Sequence, residues 1–455
     1  MALSRLLIAN RGEIAIRIQR AAKELGVRTI QVYSTADADS LAVKMADEAI
    51  EIGPPKASKS YLNIEAILSA AAATRADAVH PGYGFLSENA AFADAVEAAG
   101  LVFVGPTGAT IRTMGDKAAA RAAAIRAGVP VVPGSEGRIR DSADTLRLAR
   151  EIGYPLMIKA AAGGGGRGIR VARSQEELEA AIDQATAEAT AAFGDGGLYL
   201  EKFVSRARHV EVQVLGDGVE AIHCYERECS LQRRRQKVWE EAPAIALTQA
   251  VREELCASAV ALARSVAYRG AGTLEYLYDE TARRFYFIEM NTRIQVEHPV
   301  TEMVTGIDLV REMIRIAGGA RLQYRQQDVR LRGHAIEVRI NAEDPAQNFR
   351  PSPGAVGALR IPGGFGTRFD TLLYAGCQVS PFYDSLVGKL IVWDESRELA
   401  LSRLRRALSE LVVEGISTTQ PLHQKLARTP DVIAGAFHTN WLEQWLAEAA
   451  DRTSS

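Results

Sequence analysis

Hydrophobic residues in the first hundred positions alternate between short continuous runs and helical spacing. The runs predict strands over 6–9, 27–33, 76–80 and 101–104, because short apolar runs bounded by turn residues are typical of buried strands. Between the runs, apolar residues recur every three or four positions, as in Ile14, Ile18 and Ala21, and Gly26 ends that helix. This alternation predicts a parallel, doubly wound α/β sheet that ends near residue 115.

The next ninety residues predict a helix followed by a small separate unit. The helix covers 116–127 and leads to Gly128-Val129-Pro130. From about 131 to 204, we expect short strands over 155–159, 169–172 and 198–203. Ser142 can cap a helix before the first strand, and Ser174 can cap one before the last strand. About seventy residues are few for an independent core. We therefore expect a lid hinged on a larger body.

The remainder of the chain is rich in strands and predicts an α+β body. Val210, Val212 and Val214 alternate with polar residues, and Asp217-Gly218 makes a turn. Segments 273–278 and 285–291 form a predicted hairpin, and 334–341 alternates again. A helical pattern over 251–266 lies between these strands.

Composition and charge exclude several classes of protein. The 455 residues are 47% hydrophobic and 24% charged, with a net charge of −2, which is typical of a globular protein and gives no general affinity for nucleic acid. The longest stretch without Asp, Glu, Lys or Arg is 98–111, too short for the ~20 residues of a membrane span. No secretory signal is visible. The four cysteines have no CxxC spacing, so we expect a reduced, cytoplasmic protein without structural zinc.

A glycine-rich run follows the strand that ends at Lys159. It reads Gly163-Gly164-Gly165-Gly166-Arg167-Gly168. Glycines let backbone N–H groups approach an anion closely, and Lys159 would add a positive charge for phosphate. The alternative is a flexible linker. It is not a P-loop, because no Gly-Lys-Ser or Gly-Lys-Thr follows.

The segment FYFIEMNTRIQVEHP, which starts at Phe285, carries the strongest signal for a metal site. In extended geometry Glu289, Asn291, Arg293, Gln295 and Glu297 fall on one face, opposite Met290, Ile294 and Val296. Oxygen ligands two residues apart suit a hard cation such as magnesium, and Glu275 on the paired strand could supply a third ligand. The alternative is a structural ladder of ion pairs.

Further polar positions lie at strand ends. The basic run 232–237 predicts either a solvated face or an anion site that includes Lys237. The turn 80–85 closes a strand of the first sheet, where ligands bind in open α/β sheets, although a simple turn is an equal alternative. Arg339 shares a face with Glu337 and Asn341, which favours an ion pair. His209 at a strand start is more often structural, but it follows the segment 201–204, where the lid would rejoin the body, a natural place for a nucleotide base.

Taken together these strings resemble the biotin carboxylase family, a branch of the ATP-grasp enzymes. The matching strings include IANRGEIA, HPGYGFLSEN, MGDK, KAAAGGGGRG, RHVEVQV, ECSLQRRRQK, FIEMNTRIQVEHPVTEM, RGHAIEVRINAEDP and YDSLVGKL. The resemblance implies a doubly wound preATP-grasp domain (1–115), a linker helix (116–130), a mobile lid (131–204), an ATP-grasp body (205–330) and a biotin carboxylase C-terminal domain (331–446). It departs from the family at Arg235, where His is common, and at Ala160-Ala161-Ala162, where Ser-Gly is common.

The resemblance also implies a role for each site residue. ATP would be contacted by Lys117, Lys159, Gly165, Gly166, Glu201, Lys202, Phe203, Val204, His209, Arg235, Glu275 and Glu289. Magnesium or manganese would be held by Glu275, Glu289 and Asn291. Bicarbonate would be held by Lys237, Arg293, Gln295 and the backbone of Val296. Glu297 would be the general base, Arg339 would stabilise the enolate form of biotin, and Tyr83 would lie near its ureido ring.

The implied reaction is ATP-dependent carboxylation of biotin by bicarbonate through carboxyphosphate, as the first half-reaction of an acetyl-CoA or other acyl-CoA carboxylase. No Met-Lys-Met string occurs, and no carboxyltransferase sequence follows. We therefore expect biotin on a separate carrier protein, a carboxyltransferase partner and, from the resemblance, a homodimer. An ATP-grasp ligase for another acceptor, such as urea, and a non-catalytic nucleotide sensor are the alternatives. The sensor is disfavoured because the acidic and basic residues are all present.

Overall fold

The N-terminal part of the chain is a parallel sheet covered by helices on both faces. The computed structural model describes residues 3–135, 139, 142–160, 169–193 and 197–454. The strands are β1 (Arg5–Ile8), β2 (Arg28–Ser34), β3 (Glu48–Gly53), β4 (Ala78–His80) and β5 (Val102–Phe103), in the order β3-β2-β1-β4-β5. The helices are α1 (Gly12–Glu24), α2 (Leu41–Met45), α3 (Ile64–Ala73), α4 (Ala90–Ala98) and α5 (Gly108–Gly115).

The alternation of side chains along β1 explains this layering. Leu6 and Ile8 pack with Ile14 and Ile18 of α1, whereas Leu7 on the opposite face packs with residues of α3 and α4. Successive side chains of a strand point to opposite faces. Both faces of β1 are therefore buried, as the continuous apolar run predicts.

A small unit follows the linker helix α6 (Lys117–Arg126). Its helices are α7 (Ser142–Ile152) and α8 (Gln175–Phe193), and its strands are β6 (Leu156–Ala160), β7 (Ile169–Ala172) and β8 (Leu198–Lys202). The strands form an antiparallel sheet in the order β7-β6-β8. Leu156, Ile158, Leu178 and Leu200 belong to a core of this unit's own.

The rest of the chain is organised around one long antiparallel sheet, in the order β13-β12-β9-β10-β11-β14-β21-β19. Its strands are β9 (Ala207–Asp217), β10 (Ala221–Arg233), β11 (Gln236–Ala242), β12 (Arg269–Asp279), β13 (Arg284–Asn291), β14 (His334–Asn341), β19 (Thr367–Thr371) and β21 (Leu386–Asp394). The pairing of β11 with β14 carries the sheet from the central part into the C-terminal part of the chain.

Short strands and helices complete the C-terminal part. The strands are β15 (Glu343–Asp344), β16 (Arg350–Pro351), β17 (Gly354–Ala355), β18 (Leu359–Arg360), β20 (Gln378–Val379) and β22 (Val412–Val413). The helices that pack around the long sheet are α9 (Gln249–Ser265), α10 (His298–Thr305), α11 (Leu309–Ala317), α12 (Arg397–Glu410), α13 (Gln420–Leu426), α14 (Pro430–Ala434) and α15 (Trp441–Ser454). One face of the C-terminal half of the sheet packs on α12 and α13, through residues such as Val338, Leu390 and Leu404.

A β-bulge in β13 corrects the sequence-based picture of that segment. Glu289 pairs with Glu275, but Phe287 pairs with Tyr276, so Ile288 is the extra residue. The bulge lets Phe287 and Met290 face the same core and turns Glu289 away from it. The expected extended geometry also ends early, because the strand stops at Asn291 and the chain enters α10 at His298.

No helix within the described ranges is both long enough and apolar enough to cross a membrane.

Candidate active site

A cavity of about 1600 Å³ lies where the small unit, the long sheet and the turn after β4 come together. The predicted site residues that border it are Tyr83, Lys117, Lys159, Glu201, Lys202, Phe203, Val204, His209, Arg235, Lys237, Glu275, Glu289, Asn291, Arg293, Gln295, Val296, Glu297 and Arg339. The predicted contacts Gly165 and Gly166 lie outside the described residues. Residues far apart in the sequence thus share one cleft.

Lys237 is the centre of the buried charge network. Its Nζ donates to Glu211 at 2.5 Å, to Glu297 at 2.7 Å and to Glu275 at 2.9 Å. A β-bulge places it there: Gln232 pairs with Lys237 while Leu231 pairs with Trp239, which leaves Val238 unpaired. Trp239 can therefore enter the core while Lys237 faces the carboxylates.

Glu297 lies between two cations. One carboxylate oxygen accepts from Lys237 and the other from Arg339 Nη2 at 3.0 Å. Burial raises the pKa of Glu297, but Lys237, Arg339 and Arg227 outweigh that effect and hold its pKa below the usual value. The carboxylate is therefore ionised at neutral pH.

A second group of polar side chains surrounds Glu275. Glu275 accepts from Asn291 Nδ2 at 2.9 Å and from Gln295 Nε2 at 2.7 Å, and its other oxygen lies 3.1 Å from His209 Nε2. Burial lowers the pKa of His209, yet the negative charge of Glu275 raises it to about 9. His209 is therefore a cation beside these carboxylates.

Glu289 is paired with Glu275 across the strands β12 and β13. Burial and the charge of Glu275 raise the pKa of Glu289. Two carboxylates that repel each other, next to the amide of Asn291, are an oxygen set that suits a hard divalent cation.

Arg293 and Gln295 lie beyond the end of β13, and their side chains point back toward the cavity. Arg293 donates to Glu88 at 2.9 Å, to Asn291 at 3.1 Å and to the carbonyl of Ile294. Gln295 accepts from Arg227 at 2.8 Å. These contacts, and not an extended strand, bring both side chains to the cavity.

The cavity residues that belong to the small unit make two kinds of contact. Lys159 and Glu201 form an ion pair across β6 and β8. The ammonium of Lys202 instead donates to the carbonyls of Gly153 and Tyr154, at 2.9 and 2.7 Å. Lys202 thus borders the cavity while its charged end holds the loop before β6.

The basic run 232–237 is a hairpin tip and fits both sequence-based interpretations in part. Arg234 and Arg235 are exposed and adopt positive φ angles of 49° and 64°, whereas Lys237 at the other end of the run is mostly buried. Arg235 still borders the cavity.

Tyr83 is held by the turn after β4. Asn10 Nδ2 donates to the carbonyls of Pro81 and Tyr83, at 2.6 and 2.7 Å. A Cβ at Gly82 would lie 2.9 Å from that nitrogen, and Gly82 has a φ of +62°, so the turn requires glycine. The hydroxyl of Tyr83 donates to Glu13.

Sequence reasoning did not select several buried charged residues of the site. Arg227 donates to Glu211 at 2.8 Å, and Glu240 accepts from Arg339 at 2.6 Å. Glu211 alternates with Val210 and Val212, a pattern that is typical of a strand with one solvent-exposed face. In the structure β9 lies between β10 and β12 and is a central strand.

Family models match most of the chain in three consecutive parts. "Biotin carboxylase, N-terminal domain" matches residues 2–111, "Carbamoyl-phosphate synthase L chain, ATP binding domain" matches 116–325 and "Biotin carboxylase C-terminal domain" matches 337–444. The fold and the site therefore define an ATP-grasp carboxylase, and the fold class predicted from the sequence is confirmed.

Two relatives of high sequence identity show the family to which the chain belongs. The chain is 55% identical over 446 residues to biotin carboxylase of Pseudomonas aeruginosa, covering 98% of this chain and 99% of that protein. It is 52% identical over 444 residues to biotin carboxylase 1 of Bacillus subtilis, covering 97% and 99%. The chain belongs to the biotin carboxylase family.

Other relatives take part in different carboxylases. A pyruvate carboxylase subunit of Methanothermobacter thermautotrophicus is 47% identical over 443 residues, covering 97% of this chain and 90% of that protein. The biotin carboxylase domain dimer of the Hydrogenobacter thermophilus 2-oxoglutarate carboxylase, solved with MgADP, ADP and bicarbonate, is 48% identical with a TM-score of 0.85, covering 98% of each chain.

Proposed function

We propose that this chain carboxylates biotin with bicarbonate at the expense of ATP, through carboxyphosphate. The observation that carries the proposal is the juxtaposition of Glu275 and Glu289 with the cluster Lys237, Glu297 and Arg339 in one cavity. Family membership, and the MgADP and bicarbonate named for the Hydrogenobacter relative, support it. ATP and bicarbonate are both anions, so a shared site needs both metal-binding carboxylates and fixed cations.

The nucleotide is assigned to the lid side of the cavity. We assign ATP contacts to Lys117, Lys159, Gly165, Gly166, Glu201, Lys202, Phe203, Val204, His209, Arg235, Glu275 and Glu289. Lysines and a protonated His209 offset the charge of the phosphates. The lid would keep water away from carboxyphosphate, which water destroys.

Glu275, Glu289 and Asn291 fit a magnesium or manganese ion. Their oxygens suit a hard cation. Burial and then the charge of Glu275 raise the pKa of Glu289, and a cation would offset both effects. When bound, the metal would neutralise charge on the transferred phosphoryl group.

Lys237, Arg293, Gln295 and the backbone of Val296 would hold bicarbonate in line with the γ-phosphate. Bicarbonate is a poor nucleophile, so orientation contributes strongly to its attack. Glu297, which is ionised, would accept the bicarbonate proton as the oxygen attacks phosphorus.

Arg339 and Tyr83 would form the biotin end of the site. Carboxyphosphate breaks down to carbon dioxide and phosphate, and the phosphate can take the N1′ proton of biotin. Arg339 would stabilise the enolate oxygen that develops on the ureido ring, and N1′ then attacks carbon dioxide.

We place the domain boundaries at 115, 130, 204, 330 and 446, as the resemblance implies.

Biotin would be attached to a biotin carboxyl carrier protein. A carboxyltransferase subunit would complete the reaction. We assign the chain to an acetyl-CoA or other acyl-CoA carboxylase. The pyruvate and 2-oxoglutarate carboxylase relatives make an oxo-acid carboxylase the second candidate. We also propose a homodimer, as in the Hydrogenobacter relative. Isolating the biotinylated protein that the chain carboxylates would separate the two candidates.

The central experiment measures ADP release from MgATP with and without bicarbonate, free biotin and urea. We expect release to require bicarbonate and to rise with biotin, with labelled bicarbonate fixed on biotin. Stimulation by urea and not by biotin would assign another acceptor. No bicarbonate dependence would reject the proposed reaction.

A further inference from the structure

Lys389 of β21 is a buried lysine to which the proposed reaction gives no role. Its side chain is 0% exposed. Burying an ammonium group is costly unless partners replace its water. Its Nζ donates to the backbone carbonyl of Val296 at 2.7 Å and lies 3.2 Å from a carboxylate oxygen of Glu13. Lys389 therefore connects the start of α1 with the segment that leads into α10.

The register of the long sheet fixes the place of Lys389. It lies directly opposite Arg339 of β14 on one side and Asp370 of β19 on the other. Directly opposite residues share a face of a sheet. Lys389 therefore projects from the same face as Arg339, which contacts Glu297.

The position of the Val296 carbonyl determines the position of the Glu297 backbone. Because a peptide unit is planar, holding this carbonyl also fixes the N–H and the Cα of Glu297. Glu297 precedes α10, and it makes no side-chain cap of its own for that helix. Lys389 thus supplies a restraint on the backbone that carries Glu297.

Lys389 is itself held on its far side. Glu13 accepts from the hydroxyl of Tyr83, and Lys389 lies beside the same carboxylate oxygen of Glu13. Tyr83 is on the turn after β4 and Glu13 is in the first turn of α1. The contact with Val296 is therefore anchored in the N-terminal sheet.

We propose that Lys389 is a positioning residue, which holds the Val296–Glu297 peptide so that the bicarbonate pocket is formed before substrate arrives. This inference rests on the proposed function, which assigns the pocket to bicarbonate. Preformed hydrogen-bonding geometry matters because small displacements of reacting groups cost rate.

A simpler role would be that Lys389 only neutralises Glu13. Two variants separate these roles. Lys389→Met removes both contacts and leaves the Glu13 carboxylate with the Tyr83 hydroxyl but without the neighbouring ammonium. Lys389→Met combined with Glu13→Gln removes both charges, and a buried pair replaced by neutral groups is generally tolerated. If neutralisation is the only role, the double variant recovers.

The test measures steady-state ADP release against bicarbonate concentration, together with ATP affinity and the thermal unfolding midpoint. We expect both variants to raise the KM for bicarbonate by about tenfold or more, the scale of losing a hydrogen bond from a charged group. The Kd for ATP should stay within about twofold. Lys59→Met, at an exposed lysine, is the matched control and should behave as the unmodified chain.

The outcomes are distinct. A double variant with an unchanged bicarbonate KM overturns the inference, because Lys389 is then only a counterion. Failure of both variants to fold also overturns it, since Lys389 would then serve stability. Absence of bicarbonate-dependent ADP release in the unmodified chain would reject the proposed function instead.

Discussion

Glu297 shows how single residues of this site balance their charges. It accepts hydrogen bonds from Lys237 and Arg339, and Lys237 also donates to Glu211 and Glu275. Buried carboxylates without partners would be unstable. The chain therefore compensates its own acidic groups, and bound anions would compete with Glu297 for the same cations.

Glu297→Gln should remove the proposed proton acceptor while keeping the shape of the pocket. We expect bicarbonate-dependent ADP release to fall at least about a hundredfold, the scale typical of a lost general base, with ATP affinity changed less than about threefold. Initial-rate assays and nucleotide titration would measure this. The exposed Glu254→Gln is the control, and a normal rate in Glu297→Gln would exclude the base assignment.

Arg293→Ala should separate the two halves of the site. Arg293 contacts Glu88, Asn291 and a backbone carbonyl, and none of these belongs to the small unit, so we expect its loss to leave the residues of that unit in place. We expect ATP binding within about threefold of the unmodified chain and carboxylation lowered at least about a hundredfold, as for other lost charge-stabilising groups. Calorimetric titration and labelled bicarbonate would test both. Arg126→Ala, at an exposed arginine, provides the comparison; unchanged carboxylation in Arg293→Ala would refute this role.

Glu337 should make stability depend on pH. Its carboxylate oxygens have no hydrogen-bond partner within the described ranges, and it pairs across the strands with Glu240. Burial raises the pKa of Glu337 well above its usual value. As pH rises above about 4.5, the unfolded carboxyl ionises first, so folding stability falls until the folded pKa is passed.

Glu337→Gln should therefore flatten the fall of the thermal unfolding midpoint as the pH rises above about 4.5. The measurement is calorimetry or circular dichroism at several pH values. Glu254→Gln, at an exposed helix position, should retain the slope of the unmodified chain. Identical slopes for Glu337→Gln and the unmodified chain would show that Glu337 is not held neutral.

Residue types and spacing predicted much of the cavity lining, but not the charges that lie beneath it. Motif strings pointed to Lys237, Arg293 and Glu297, because their spacing is specific. Glu211 and Lys389 were missed for different reasons. Glu211 lies in a strand of alternating apolar and polar residues and looks solvated until the neighbouring strands are known. Lys389 is a single charge within the apolar run of β21, and its contacts come from residues far away in the sequence.

At the scale of elements, the periodicity of apolar residues predicted most strands and helices near their observed bounds. The predicted 6–9 and 334–341 strands correspond to β1 and β14. The bulges at Ile288 and Val238 could not be predicted, because they depend on which partner residues face each strand. Both bulges set which side chains reach the site.

Ser396 offers a local test of an element. Its side chain accepts from the N–H of Leu399 at 3.3 Å and caps α12. Ser396→Ala should lower the free energy of unfolding by about 1 kcal/mol, the usual cost of a lost N-cap, without changing ADP release. Thermal unfolding would measure the loss, with the exposed Ser58→Ala as control. An undiminished midpoint would show that this cap contributes nothing.

At the scale of the whole molecule, the cavity depends on parts that no single stretch of sequence contains. The parallel sheet contributes Tyr83, the small unit contributes Lys159, and the long sheet contributes Lys237 and Arg339. Motif order gives the sequence of these parts but not how they meet. Their assembly could be expected only from the family resemblance.

Removing divalent metal should affect catalysis but not the fold. Lys237 and His209 already lie beside the carboxylates of Glu211 and Glu275. We expect a chelator to abolish ADP release and to leave the midpoint of the nucleotide-free chain unchanged, with added magnesium restoring activity. A chelator that lowers that midpoint by several degrees would indicate a structural metal instead.

The extra residue at Ile288 has a consequence for how the sequence can vary. Its side chain is 42% exposed, so the fold should accept many different amino acids there. Its removal should also be tolerated, because the pairs Tyr276–Phe287 and Glu275–Glu289 would then be consecutive steps of a regular ladder. Met290 would still face the hydrophobic core, and Glu289 and Asn291 would still face the cavity. The bulge is thus the means by which the strand accommodates one spare residue without reversing the side chains that follow it.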